Sequence, residues 1–139
     1  MSLNYNYTEQ NPSRIFRDIN IAFSKHPVTH DVAMKTGDAA IKQSLRNLVL
    51  LNKNEKPFHP EIEGGIYDML FENFEEVGNT EILRERIAGI ILKYEPRVDL
   101  TNIDIVPNTD GNAVSINIYY VILNTLSPSN VEIFLKITR

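Results

Sequence analysis

Lys93-Tyr94-Glu95-Pro96-Arg97-Val98-Asp99 is the stretch on which the fold turns. Ahead of it, Leu83, Ile87, Ile90, Ile91 and Tyr94 recur at the spacing of one apolar helix face. Glu81 near the start of that pattern and Lys93 near its end both suit the helix dipole. Pro96 disfavours α geometry at the residue before it, so the helix is expected to stop at about Tyr94. Beyond the proline the apolar period drops to two. The stretch is therefore a corner between a helix and a β region, with a carboxylate and a guanidinium on either side of a fixed turn. Two uses are open. In a docking corner, Arg97 bonds a carboxylate or helix-end carbonyls in a fork, tying the corner to its own fold or projecting toward a partner. In the rival reading Glu95 is a catalytic carboxyl.

After the corner, Ile103 and Ile105 alternate with polar neighbours up to Pro107, and Asp110-Gly111 is the expected tip of a hairpin turn. Val114, Ile116, Ile118, Tyr120 and Ile122 share one face. The opposite face, Ser115, Asn117, Tyr119, Val121 and Leu123, changes from polar to apolar, which predicts cover on both sides at that end. Asn124 to Asn130 read as the second connection, and Val131, Ile133, Leu135 and Ile137 as the last strand, with Glu132 and Lys136 on the other parity. If this strand is an edge, its unpaired backbone groups are either blunted by charge or used for pairing.

Before the corner, residues 1–14 read as a mobile arm, on which Tyr5 and Tyr7 would be natural anchors for a partner. Ile19, Ile21 and Phe23 have the period of a half-buried strand. Val28, His30, Val32 and Met34 have the same period after Pro27, giving a hairpin. Thr36-Gly37-Asp38 is a helix start with Asp38 as its cap, followed by the stripe Ile41, Leu45, Leu48 and Val49 and an end near Asn52. In the loop from Pro57 to Gly65, Phe58 is expected to plug the core between Pro57 and Pro60, and the Gly64-Gly65 pair permits a sharp bend. A short helix from Ile66 to Asn73 follows, and Gly78-Asn79-Thr80 is read as the break and cap before the long helix. The order predicts an α+β fold: an N-terminal β hairpin, three helices, then a C-terminal three-stranded antiparallel meander with the helices packed on one face. Residues 15–139 are expected to form one domain behind the arm.

Composition narrows the chemistry. The 139 residues carry 42% hydrophobic and 23% charged side chains and a net charge of −4, which gives no reason to expect nucleic acid as a partner. There is no cysteine, which removes thiolate nucleophiles and cysteine-based zinc sites. His26, His30 and His59 lack metal-ligand spacing, so no metal is expected. No nucleotide motif accompanies the Gly-Gly pair, and neither a cofactor nor a small-molecule substrate is indicated. No apolar run is long enough for a membrane span, and the first residues lack a signal-peptide pattern, so a cytoplasmic origin is expected. Glycoside hydrolysis would need two carboxyls about 5 to 9.5 Å apart. Glu61, Glu63, Glu72, Glu75, Glu76 and Glu95 are available, with Glu72 and Glu95 nearest to apolar neighbours. Arg97 beside Glu95 would lower its pKa, the wrong direction for a general acid.

Three blocks in order, Pro57-Phe58-His59-Pro60-Glu61, Leu70-Phe71-Glu72 and Tyr94-Glu95-Pro96-Arg97, resemble the baseplate wedge family. That family includes tail sheath-initiator proteins of contractile-tailed phages and a related type VI secretion baseplate component. The resemblance runs from about Asp18 to the last strand; Asn54-Glu55-Lys56 stand where the family loop commonly carries Gly and Arg. It implies a structural, non-enzymatic protein of the virion tail baseplate, assembled in the host cytoplasm. By that match Glu95, Pro96 and Arg97 would contact the core bundle of larger wedge subunits. The edge strand with Val131, Ile133, Leu135 and Ile137 would template the first ring of the tail sheath protein by strand pairing. The family has also been labelled lysozyme-like, which would make the chain a peptidoglycan glycosidase using Glu72 and Glu95.

Overall fold

The computed structural model describes residues 15–52, 54–56, 58 and 59, 65–71, 77–108 and 113–136. The expected arm, the Asp110-Gly111 tip, Glu72 and Ile137 lie outside these residues. Among the described residues the order is β1 (Arg17–Ile19), β2 (Met34–Thr36), α1 (Asp38–Leu50), α2 (Ile66–Phe71), α3 (Val77–Tyr94), β3 (Val98–Asn108), β4 (Ala113–Ile122) and β5 (Ser127–Lys136). The strands form a two-stranded antiparallel pair, β1-β2, and a three-stranded antiparallel meander in the order β3-β4-β5. The fold is α+β.

The period-two pattern of β4 decides the core. Val114, Ile116, Ile118, Tyr120 and Ile122 are all buried, with Ile133 opposite Ile116 and Val131 opposite Ile118 on β5, and Ile103 opposite Ile118 on β3. Two helices cover this face. α1 contributes Ala40, Ile41, Leu45 and Val49, and α3 contributes Leu83, Ile87, Ile90 and Ile91. Burying one such side chain is worth about 1.5–3 kcal/mol, so the shared face dominates the energetics. Ile66 of α2 joins the same cluster. Gly65 ahead of it has φ 57, a left-handed backbone, and an added Cβ there would meet Arg86 Nη2 at 3.1 Å. That accounts for glycine at the bend before α2.

Several expectations are corrected. Phe58 does not plug the core: it is 96% exposed, on a left-handed backbone with φ 67. Asp38 does not cap α1. Gly37 holds the N-cap position without a side-chain bond, and the Asp38 carboxylate is spent on Lys42 at 2.7 Å and on Tyr120. Residues 78–80 lie inside α3, which begins at Val77, so they neither break nor cap it and Glu81 sits past its first turn. α1 ends at Leu50 rather than Asn52. β5 begins at Ser127, so the second connection is only residues 123–126, closed by a Leu126 N–H to Ile122 C=O bond of 2.7 Å, with Leu126 at φ 52. The apolar end of the second β4 face is not covered on both sides: Tyr119 and Leu123 remain exposed.

The N-terminal pair is shorter than its alternation suggests. Ile19 pairs with Met34, an isolated bridge joins Lys25 to Val32, and Ile19, Ile21 and Phe23 face solvent rather than a core. Polar ties hold the pair instead. The Gln43 side chain donates to the Ile19 carbonyl at 2.8 Å, and the Gly37 N–H donates to Phe16 C=O at 2.8 Å. His26 uses Nδ1 to accept the Val28 and Thr29 N–H groups, a turn-stabilising role.

Candidate functional site

α3 stops where Pro96 requires it. The Glu95 N–H still donates to Ile91 C=O at 2.9 Å, and three residues later Val98 opens β3. The Arg97 C=O accepts from Leu123 N–H at 3.1 Å, which stitches the corner to the β4–β5 turn. Glu95 is 2% exposed, a charged side chain in the company of core residues. Its compensation is Arg97. Nε donates to Glu95 Oε1 at 2.5 Å and Nη2 to Oε2 at 2.7 Å, a planar two-point fork. Arg97 Nη1 donates to Asp18 Oδ2 at 3.2 Å, and its guanidinium lies 5.4 Å from the Phe16 ring centre. One guanidinium thus joins the helix end, the start of the sheet and the N-terminal pair.

The electrostatics follow from this geometry. Burial works against the Glu95 charge, but the Arg97 fork and a Ser44 hydrogen bond outweigh it and hold the carboxyl below the ordinary glutamate range. The Arg97 guanidinium, bonded to Glu95 and Asp18, is pushed up. A second polar tie lies on the same covered face. Tyr120 O–H donates to Asp38 Oδ1 at 2.8 Å, and burial, reinforced by Asp38, pushes the Tyr120 phenol up. For Asp38 burial is again the largest influence, yet bonds from Lys42, Ser129 and Tyr120 keep the carboxyl low. Tyr120→Phe keeps the ring and removes the donor, so a loss of about 1 kcal/mol in urea unfolding is expected, with no change of fold.

Of the residues singled out from sequence, Glu95, Pro96 and Arg97 come together as one rigid corner, with Glu95 inside, Pro96 exposed and Arg97 at the rim. Val131, Ile133 and Leu135 are elsewhere, on β5, and their side chains are in the core. What β5 offers outward is its backbone edge. Glu95 is held ionised by its own domain and is unsuited to protonate a leaving group. Sequence reading missed Asp18, Ser44 and Phe16 as partners of the corner. Asp18 lies 79 positions from Arg97, beyond any local spacing rule.

Comparisons with known proteins agree with this architecture. The family described as "Baseplate wedge protein gp25" matches residues 35–126. A relative from Enterobacteria phage T4, also called baseplate wedge protein gp25, is 26% identical over 122 residues, covering 88% of this chain and 89% of its own. Among solved structures, the anti-feeding prophage baseplate superposes with TM-score 0.61 at 22% identity, covering 86% of this chain and 84% of the other. A putative tail lysozyme from Geobacter sulfurreducens gives 0.62 at 19% identity, over 71% and 89%. These two likenesses establish a shared fold. Fold and family together define a structural wedge component of contractile-tail baseplates. The chain belongs to the baseplate wedge protein gp25 family. The matched residues include the corner, whereas β1 and β5 lie outside them.

Proposed function

We propose that this protein is a non-enzymatic subunit of a phage tail baseplate that docks on the core bundle of its wedge through the 95–97 corner and starts the sheath through the β5 edge. The observation that carries the docking half is the closed ion pair. A buried carboxylate locked by a two-point guanidinium fork makes the helix–strand corner stiff, and stiffness lowers the entropic cost of association. The exposed Pro96 is then a preorganised tip, and Arg97 keeps part of its surface at the rim. Glu95 supports the contact from within.

Membership of the wedge family, the exposed tip and an unpaired strand edge support this reading together. Pro96→Trp places bulk on the tip without touching the fork. The isolated variant is expected to keep its thermal midpoint within a few degrees while failing to enter wedges reconstituted from purified components. Normal incorporation of Pro96→Trp would show that docking occurs elsewhere.

A further inference from the structure

The two free edges of the meander are closed in different ways. Among the described residues, strand order β3-β4-β5 leaves β3 and β5 each with one unpaired side. In an antiparallel ladder, alternate residues turn both backbone groups toward the neighbour or away from it. The prolines identify the parity, because a residue without N–H belongs where no ladder donor is needed. Pro128 faces Val121, so the outward set on β5 is Pro128, Asn130, Glu132, Phe134 and Lys136. Pro107 faces Val114, so Ile103 and Ile105 share its outward parity on β3. β4 is consistent with both, since Val114 and Val121 have opposite parity and serve opposite neighbours.

Among the described residues, an arginine from the helical layer reaches each edge. Arg84 of α3 donates through Nε to the Ile103 carbonyl at 2.9 Å. Arg46 of α1 donates through Nη2 to the Glu132 carbonyl at 3.2 Å. Both carbonyls belong to the outward sets. The surroundings differ. Arg84 is half-buried and is also ion-paired with Glu81, and a register shift at Leu100/Asn102 lies next to Ile103. Arg46 is exposed, its bond is the longer of the two, and the β4–β5 register is unbroken from Ala113–Lys136 to Ile122–Ser127. An irregular ladder resists strand addition and a regular one invites it.

We propose that Arg84 is a fixed clip that closes β3 and Arg46 a releasable one on β5, so that the sheet accepts an extended partner strand along β5 alone. This rests on the templating reading above and adds where the strand enters and what guards the place. The entering strand pairs with the outward N–H and C=O groups of Asn130, Glu132, Phe134 and Lys136. The Glu132 carbonyl is free for it only once the Arg46 guanidinium has turned back to water, where an exposed cation is readily rehydrated. Until then the edge is blunted against copies of the same chain.

The test uses the full chain and purified monomeric sheath protein of the same particle, read by amide hydrogen exchange and by affinity. Expected are slowed exchange at Asn130, Glu132, Phe134 and Lys136, none at Ile103 and Ile105, and binding about tenfold tighter for Arg46→Ala. Arg84→Ala is expected to add protection at Ile103 and Ile105. Protection on β3 of the unaltered protein, or an Arg46→Ala variant that binds no tighter, overturns the proposal. If sheath protein protects no strand, the templating reading fails. Sedimentation then judges the clip alone: stronger self-association of Arg46→Ala upholds it, and unchanged self-association sinks it.

Discussion

Replacing Arg97 with alanine is expected to destabilise the isolated domain by about 3 kcal/mol near neutral pH and to reverse the direction of its acid response. The loss is large because the partner left behind is Glu95, at 2% exposure, and an uncompensated buried charge carries its full desolvation cost. In the intact protein the folded-state pKa of Glu95 lies below its ordinary value of 4.5. Its contribution is therefore complete above about that pH and is lost as pH falls through the lower folded value. In Arg97→Ala, burial acts without a cation to oppose it and raises the folded pKa above the unfolded one. Folding then takes up a proton, so the variant is most stable in acid and loses stability as pH rises through the raised value. Urea unfolding of both proteins across pH 3 to 8 checks this. A variant as stable as its parent at pH 7, or one with the parent's slope in acid, would show that the fork does not neutralise Glu95. This result also means that an assembly defect in Arg97→Ala reports on folding and docking together, which is why Pro96→Trp is the cleaner probe of docking.

The second large effect concerns β5. Phe134→Pro is expected to leave the domain folded and able to enter wedges, yet to abolish sheath growth from the resulting particles. Phe134 has outward parity on the edge strand and its side chain is exposed, so proline there removes a donor that no ladder bond uses while blocking an incoming strand. Ile133→Pro is the contrast. Ile133 pairs with Ile116 and is buried, so the same change one position earlier should unfold the domain. Electron microscopy of sheath length on purified particles, with a far-ultraviolet circular dichroism control, separates the two. Sheath of normal length on Phe134→Pro baseplates would remove β5 from the templating step.

Much of this was legible in the sequence where one period ran without interruption. The stripes in α1 and α3 and the alternation in β4 fix which faces meet, because burial selects a single phase of each pattern. Pro96 marked the end of α3 correctly for a local reason, its effect on the preceding residue. The misreadings have a common physical cause. Phe58 and the run Ile19, Ile21 and Phe23 are apolar, and apolar pattern alone does not tell burial from exposure in segments held by polar ties. Asp38 reads as a cap by its position, but its carboxylate is taken by Lys42 and Tyr120 instead. The corner was visible as three adjacent residues; its inward direction was not, because the partner that turns Arg97 toward the N-terminal pair is Asp18.

That distance along the chain bears on how the protein folds. Arg97 meets Asp18 across 79 positions, Tyr120 meets Asp38 across 82 and Arg46 meets Glu132 across 86. The β1-β2 pair already meets α1 through Gln43 and Ile19, but its ion pair with Arg97, like the ties of α1 to Tyr120 and Glu132, waits for the meander. Contacts this remote make folding slow. Val131, Ile133 and Leu135 of β5 join Ile41, Leu45, Ile87 and Ile91 of the helices in one cluster, so the core and the remote ties depend on the same far-separated segments.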